Sequence, residues 1–346
     1  MKTFKAFTLI LVVSLLTSIA DAWSFPLPGM PDAADPGSKA TPLKSYSIDP
    51  SGITISGVSS GAYMAVQMQV AYSQTFAGAA SIAGGIYWCA QGDSQRAQSE
   101  CMGSPQSIKS ETQVAKAREL EKSGAIDSLA NLKTQKIYIY ASPKDSIINP
   151  VNSDKLREFY GALANTANVE FVNSVSSAHG WPTLDKGGPC SFPMLPWILN
   201  CNYDGAGEIL KQMYGNLAPR GQMVASHLLK FSQSDFGDSS TPLYNEGWVY
   251  VPASCAQGEP CKLHVALHGC QMNPDYIQDK FANMSGLNEW AETNHIIVLY
   301  PQSAKIMGSN PYACWDWFGF TGDNYVTKSG TQMSALYKMI LRLEGK

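Results

Sequence analysis

Charged side chains are scarce in this sequence: they make up 15% of 346 residues, with 25 basic against 28 acidic. So little net charge gives no electrostatic reason to expect a nucleic-acid partner. Beyond residue 22 no run is apolar enough to span a bilayer, so no membrane partner is expected for the rest of the chain. Internal repeats and low-complexity linkers are absent, which favours one domain over two. Histidine is rare too, with five in the chain, and none stands at a ligand-like spacing from a close cysteine pair. No metal and no cofactor is therefore expected.

The first residues are Met-Lys-Thr-Phe-Lys, followed by an apolar run over 6–19 and then Ala20-Asp21-Ala22. That order of charged start, apolar middle and small-residue end reads as a signal peptide over 1–22, cleaved after Ala22. The product would be secreted and extracellular, or held in a periplasm. Losing Lys2, Lys5 and Asp21 leaves 23 basic and 27 acidic side chains. All eight cysteines fall in the mature part, and an even count in an exported chain reads as disulfides. Close spacing suggests Cys89–Cys101, Cys190–Cys201 and Cys255–Cys261, leaving Cys270–Cys314 as the long-range bridge.

Residues 23–50 are rich in Pro, Gly, Ser and Ala and read as an irregular arm. Short apolar runs at 52–56, 76–82, 135–141, 169–175, 263–267 and 296–300 read as strands buried on both faces. Helical spacing is expected over 62–72, 112–132, 153–163, 283–293 and 331–343. Strands alternating with covering helices imply an α/β fold with a mainly parallel sheet, here as a single domain over 23–346. Residues 202–247 fit no strand-helix unit and are expected to form a small helical insertion over the sheet edge.

The chemistry starts at Gly57-Val58-Ser59-Ser60-Gly61, a G-x-S-x-G pattern between an expected strand and an expected helix. Such a turn lifts a serine hydroxyl above the sheet edge and points free helix amides at the same place. Ser59 is the candidate nucleophile, and the amide of Ser60 a candidate oxyanion donor. A serine needs a base, and in this class the acid and then the histidine follow the nucleophile, each after a strand. Asp145 stands just past the strand ending at residue 141, and His179 just past the one ending at 175. Asp154 reads instead as part of a helix cap, and His227, His264 and His295 as structural.

The second oxyanion amide in this class comes from a strand running into a His-Gly turn, normally ahead of the nucleophile. Here Leu263-His-Val-Ala-Leu-His-Gly-Cys-Gln fits that description but follows Ser59. A circularly permuted α/β-hydrolase accounts for this order, because chain ends lie at the surface and permutation is tolerated. The second donor is then the amide of Cys270, with Cys270–Cys314 bracing it against the segment that carries Trp315 and Trp317.

Taken together, Gly-Val-Ser-Ser-Gly-Ala-Tyr-Met, Ser-Pro-Lys-Asp, Ala-His-Gly-Trp-Pro, Leu-His-Gly-Cys-Gln and Asn-Pro-Tyr-Ala-Cys-Trp-Asp-Trp carry a resemblance. In that order they resemble the secreted polyhydroxybutyrate depolymerases of the circularly permuted, single-domain type, over most of residues 50–343. The resemblance implies a Ser59, Asp145, His179 triad and an oxyanion hole from the amides of Ser60 and Cys270. It also implies a tryptophan beside the 270–314 bridge lining the polymer groove: Trp315 matches best, with Trp317 next to it. A polyester or its oligomers would be the substrate, cleaved by a monomer. A general carboxylesterase or feruloyl-type esterase shares the same apparatus and is the alternative. Trp88, Trp181, Trp248, Trp290, Trp315 and Trp317 read either as core or as exposed apolar surface suited to an uncharged polymer. Asn283-Met284-Ser285 is a glycosylation sequon.

Overall fold

The sheet is built from the short apolar runs. In the computed structural model, which describes residues 40–346, these runs are strands, and all but the partly buried one over Val169–Val172 are largely buried on both faces. The expected leader over 1–22 lies outside the described residues, as do residues 23–39 of the arm. The strands in chain order are β1 Ile48–Val58, β2 Gly78–Ile82, β3 Lys136–Tyr140, β4 Val169–Val172, β5 Trp181–Thr183 and β6 Gly188–Pro189. After them come β7 Ile198–Asn200, β8 Leu228–Ser232, β9 Glu246–Tyr250, β10 Cys261–Leu267 and β11 Ile296–Tyr300. The main sheet has the order β4-β3-β2-β1-β10-β11-β9-β8, and β5-β7-β6 form a small second sheet.

Strand β1 is central. It pairs in parallel with β2 on one side and with β10 on the other. Successive side chains of a strand face opposite ways, so each strand feeds two cores. Ile53, Ile55, Ile137, Ile139, Leu263, Val265 and Leu299 enter one core; Val58, Ile82, Tyr138, Ala266, Val298 and Tyr300 enter the other. This two-sided burial is why the runs lack polar alternation. A polar strip interrupts it: Thr54 Oγ1 and Ser56 Oγ lie 2.8 and 2.7 Å from the two ring nitrogens of His264. His264 is thus a packed, satisfied strand residue, and burial pushes its pKa down to about 3.

The elements differ from expectation in three stretches. Residues 112–132 are not one helix: Ser110–Lys122 is helical, Gly124 turns the chain at φ 75°, and a 3₁₀ turn follows over Leu129–Lys133. Gly286, at φ 83°, separates Lys280–Met284 from Leu287–Asn294 in the stretch expected as one helix over 283–293. Residues 202–247 hold one helix, Gly205–Tyr214, but also strand β8, which runs in the main sheet. Strands β8 and β9 pair antiparallel, and β9 pairs antiparallel with β11. As an edge strand β8 buries only Leu228 and Phe231, so it lacks the continuous apolar run of the central strands. Among the described residues no helix is long and apolar enough to cross a membrane.

Candidate active site

Six strands, β4-β3-β2-β1-β10-β11, run parallel, so their carboxyl ends share one edge of the sheet. Ser59 follows β1 directly, Asp145 follows β3, His179 follows β4, and Cys270 follows β10. Open parallel sheets place their ligand sites at this edge.

Ser59 sits in a strained turn at φ 57°, ψ −122°. A non-glycine residue there costs free energy and is held only by what surrounds it. Its amide donates to the Ile82 carbonyl at 2.9 Å, and its carbonyl accepts from the amides of Ala62 and Tyr63. The helix Ser60–Ala71 then starts at once, buried along its whole length. Both motif glycines are demanded by contact: a Cβ on Gly57 would lie 2.1 Å from the Gly61 carbonyl oxygen, and one on Gly61 2.4 Å from the His268 carbonyl oxygen. The Ser59 side chain reaches the surface, whereas Ser60 is buried, its hydroxyl accepting from the Trp315 amide at 3.3 Å.

His179 Nδ1 lies 2.8 Å from Asp145 Oδ2, with both side chains nearly buried. The other carboxylate oxygen, Oδ1, accepts from the amides of Ile147 and Ile148 at 2.8 and 2.9 Å. Asp145 is therefore locked in place while it orients the imidazole. The two loops are also stitched together. The Ser142 hydroxyl donates to the Ser177 carbonyl at 2.6 Å and accepts from the Ser177 amide at 2.8 Å. No hydrogen bond joins Ser59 Oγ to the imidazole among the described residues; such bonds are often long until substrate tightens them.

On the other side of Ser59 lies the turn after β10. A Cβ on Gly269 would stand 3.1 Å from Ser59 Cβ, so the Gly269–Cys270 peptide borders Ser59. Cys270 is bridged to Cys314, with the Gln271 amide donating to the Tyr312 carbonyl at 2.7 Å. All four bridges are present: Cys89–Cys101, Cys190–Cys201, Cys255–Cys261 and Cys270–Cys314.

The tryptophans divide between core and partly buried positions, with core predominant. Trp181, Trp248, Trp290, Trp315 and Trp317 are buried, and Trp88 is half-buried, so core packing accounts for most of that set. Trp315 is 0% exposed, its ring 5.4 Å from that of His268, and Trp317 stacks on Tyr63 at 4.5 Å. Neither ring is exposed to solvent. The Asp316 carboxylate between them gathers the amides of Phe318, Gly319, Phe320 and Thr321 and fixes the loop. Burial nonetheless raises the Asp316 pKa, the strongest influence on that group.

Other residues at the site carried no sequence signal. The loop closed by Cys190–Cys201 exposes Phe192, Met194 and Leu195, and Cys190 accepts from the Ala178 amide next to His179. Trp197, half-buried in the same loop, presents its ring 6.3 Å from that of His179. Among the residues set aside, Asp154 pairs with Arg157 at the surface, His227 with Glu292, and His295 with Glu259. No cluster of three or more His, Cys, Asp or Glu side chains among the described residues could hold a metal ion.

No protein-family model matches the chain. It is 39% identical over 309 residues to a poly(3-hydroxybutyrate) depolymerase of Delftia acidovorans, a match spanning 88% of this chain but 62% of that protein. The chain thus spans less than two thirds of that relative. It is 38% identical over 323 residues to a polyhydroxybutyrate depolymerase of Talaromyces funiculosus, covering 88% of this chain and 93% of the relative. Among solved structures, a PHB depolymerase variant complexed with an R3HB trimer superposes with a TM-score of 0.83 at 36% identity, over 88% of this chain and 99% of that one. The crystal structure of a PHB depolymerase from Penicillium funiculosum gives 0.82 with the same identity and coverage.

Proposed function

The chain belongs to the poly(3-hydroxybutyrate) depolymerase family, and from that premise we propose that it is a serine esterase hydrolysing poly(3-hydroxybutyrate) or its oligomers. The observation that carries the reading is the strained Ser59 turn flanked by a 2.8 Å Asp145–His179 pair and by the Gly269–Cys270 peptide. His179 takes the Ser59 proton as Ser59 attacks the ester carbonyl. Asp145 holds the ring so that Nε2 faces the serine and stabilises the imidazolium that forms. The amides of Ser60 and Cys270 receive the oxyanion. His179 then protonates the leaving hydroxyl end of the polymer. Water activated by the same ring frees the 3-hydroxyacyl group. No cofactor is required.

The strand order supports a circularly permuted hydrolase sheet. The nucleophile strand β1 comes first in the chain yet is central, and the oxyanion strand β10 beside it comes second to last. The four disulfides support export to an oxidising compartment. For an insoluble, uncharged substrate the enzyme needs apolar surface at the mouth of the site. Ile147, Phe192, Met194, Leu195 and Tyr312 are all exposed, and they stand on the loops that carry Asp145, border His179 and brace Cys270. We assign them to polymer adsorption, with Trp315 and Trp317 supporting the groove wall from behind.

The test is clearing of a poly(3-hydroxybutyrate) suspension beside short nitrophenyl esters and feruloyl esters. Clearing that disappears in Ser59→Ala is expected. Fast turnover of small esters without clearing would favour a general esterase, and full activity in Ser59→Ala would remove the nucleophile assignment.

A further inference from the structure

The His268 ring is buried and hydrogen-bonds to neither Asp145 nor His179 among the described residues, yet both its nitrogens are engaged next to Ser59. Nδ1 lies 2.7 Å from the carbonyl oxygen of Gly269, the next residue. Nε2 lies 3.1 Å from the backbone amide of Ser303, on the segment after β11. An amide N–H can only donate, so Nε2 accepts and Nδ1 carries the proton that it gives to Gly269. The Ser303 hydroxyl lies 3.4 Å from the same nitrogen, but its proton goes to the Ala313 carbonyl at 2.5 Å, so it gives none to the ring. These contacts assign a single neutral tautomer. Burial keeps it neutral, pushing the pKa down to about 4.

The carbonyl of Gly269 and the amide of Cys270 belong to one peptide unit. In a planar trans peptide the C=O and N–H point in opposite directions. A group that grips the carbonyl therefore aims the amide. We propose that His268 is a positioning residue which sets the oxyanion donor, holding the Gly269–Cys270 peptide so that the Cys270 N–H faces the ester oxygen on Ser59. The inference rests on the oxyanion role given above to Cys270. Ser303 holds the far side of the ring, so the clamp runs from the loop after β11 through His268 to the peptide. Cys270–Cys314 fixes the same turn covalently, but a disulfide at the side chain leaves rotation of the preceding peptide free. The imidazole removes that freedom. Preorganisation of this kind matters because a fixed dipole needs no reorientation as the oxyanion develops.

The two ring positions can be separated by substitution. In His268→Asn the amide N–H can stand near the place of Nδ1 and keep the grip on Gly269. In His268→Gln the side chain reaches instead toward Ser303 and the grip is lost. Each variant is assayed on a soluble nitrophenyl butyrate and against a trifluoromethyl ketone, whose adduct with Ser59 carries the oxyanion. For His268→Gln the expected result is a kcat lower by between about 10- and 100-fold, less than or equal to the loss of a whole oxyanion donor. KM should hold, and the ketone inhibition constant should rise by the same factor as kcat falls. His268→Asn should recover most of both. A folded His268→Gln enzyme with kcat near the parent's, or a loss confined to KM, would overturn the proposal. Nitrogen NMR of the histidines in the unsubstituted protein tests it without any variant: a protonated Nε2 on His268, or titration near neutrality, would also overturn it. Ser59→Ala runs alongside. If that variant keeps hydrolysis, the active-site reading itself fails; if it is dead while His268→Gln is unimpaired, only the clamp fails.

Discussion

Replacing Gly61 by alanine tests the central packing claim of the site. A Cβ at that position would stand 2.4 Å from the carbonyl oxygens of both Leu267 and His268, and 2.8 Å from the Leu267 carbonyl carbon. Non-bonded heavy atoms prefer about 3.5 Å, so the helix and the end of β10 must part by roughly 1 Å. The obstructing atoms are backbone, so no side chain can swing aside. Overpacking of this kind costs about 1–3 kcal/mol, and alanine returns up to about 1 kcal/mol through helix propensity. The net loss, at most about 3 kcal/mol, is small beside a domain stability of about 5–15 kcal/mol, so the protein should fold. Catalysis should suffer more. The parted elements carry Ser59 on one side and the Gly269–Cys270 peptide on the other, and a misplacement of about 1 Å can cost roughly 100-fold in rate. Urea titration by circular dichroism gives the first quantity and nitrophenyl butyrate kcat the second. Gly161→Ala is the control, because a Cβ there meets nothing within 4 Å, in an exposed helical position. It should gain about 0.5–1 kcal/mol and leave kcat unchanged. A Gly61→Ala enzyme with parental midpoint and kcat within threefold would refute the argument.

Acid should destabilise the fold through two buried imidazoles. His264 and His268 have folded pKa values near 3 and 4 against 6.5 when exposed, so the unfolded chain binds more protons between these limits. Their stability contribution is full above pH 6.5 and declines as pH falls, by about 2.7 kcal/mol per pH unit where both titrate only in the unfolded state. Urea midpoints that stay flat from pH 6.5 to 4.5 would contradict this. Replacing Cys270 and Cys314 together by alanine frees a loop with a sequence separation of 44, which in the chain-entropy account costs about 4 kcal/mol. The thermal midpoint should drop, and kcat with it, whereas removal of Cys255–Cys261 should leave kcat alone. Phe192→Ser with Leu195→Ser should slow clearing of polymer suspensions and spare soluble esters; equal loss on both would place these side chains in the groove instead. The Asn283 side chain is buried, and the Ser285 hydroxyl of its sequon contacts the Tyr300 hydroxyl at 3.2 Å. The folded protein should carry no glycan there, as intact-mass measurement after expression in a glycosylating host will show; full occupancy in active enzyme would oppose it.

What could be read from the chain alone follows from where each interaction lives. The Asp145–His179 contact joins residues 34 apart, yet each sits in the loop directly after its own strand, so a local pattern implied a distant pair. The short disulfides were legible for the same reason. The tryptophans were not, because an apolar ring has the same sequence appearance in a core and on a mouth; burial is decided by elements that arrive from elsewhere. Phe192, Met194 and Leu195 show the converse, apolar residues held outward by a proline-containing loop that a disulfide closes. Strand β8 was missed because its two buried residues, Leu228 and Phe231, are too few to make an apolar run. His268 marks the limit most clearly. Its neighbours identified a turn, but its work depends on the Ser303 amide, 35 residues further on, and on which nitrogen that amide leaves free. Sequence can nominate the atoms that react. The groups that aim them become visible only when the hydrogen bonds can be followed from donor to acceptor, and at this site they lead from the loop after β11 to the Gly269–Cys270 peptide.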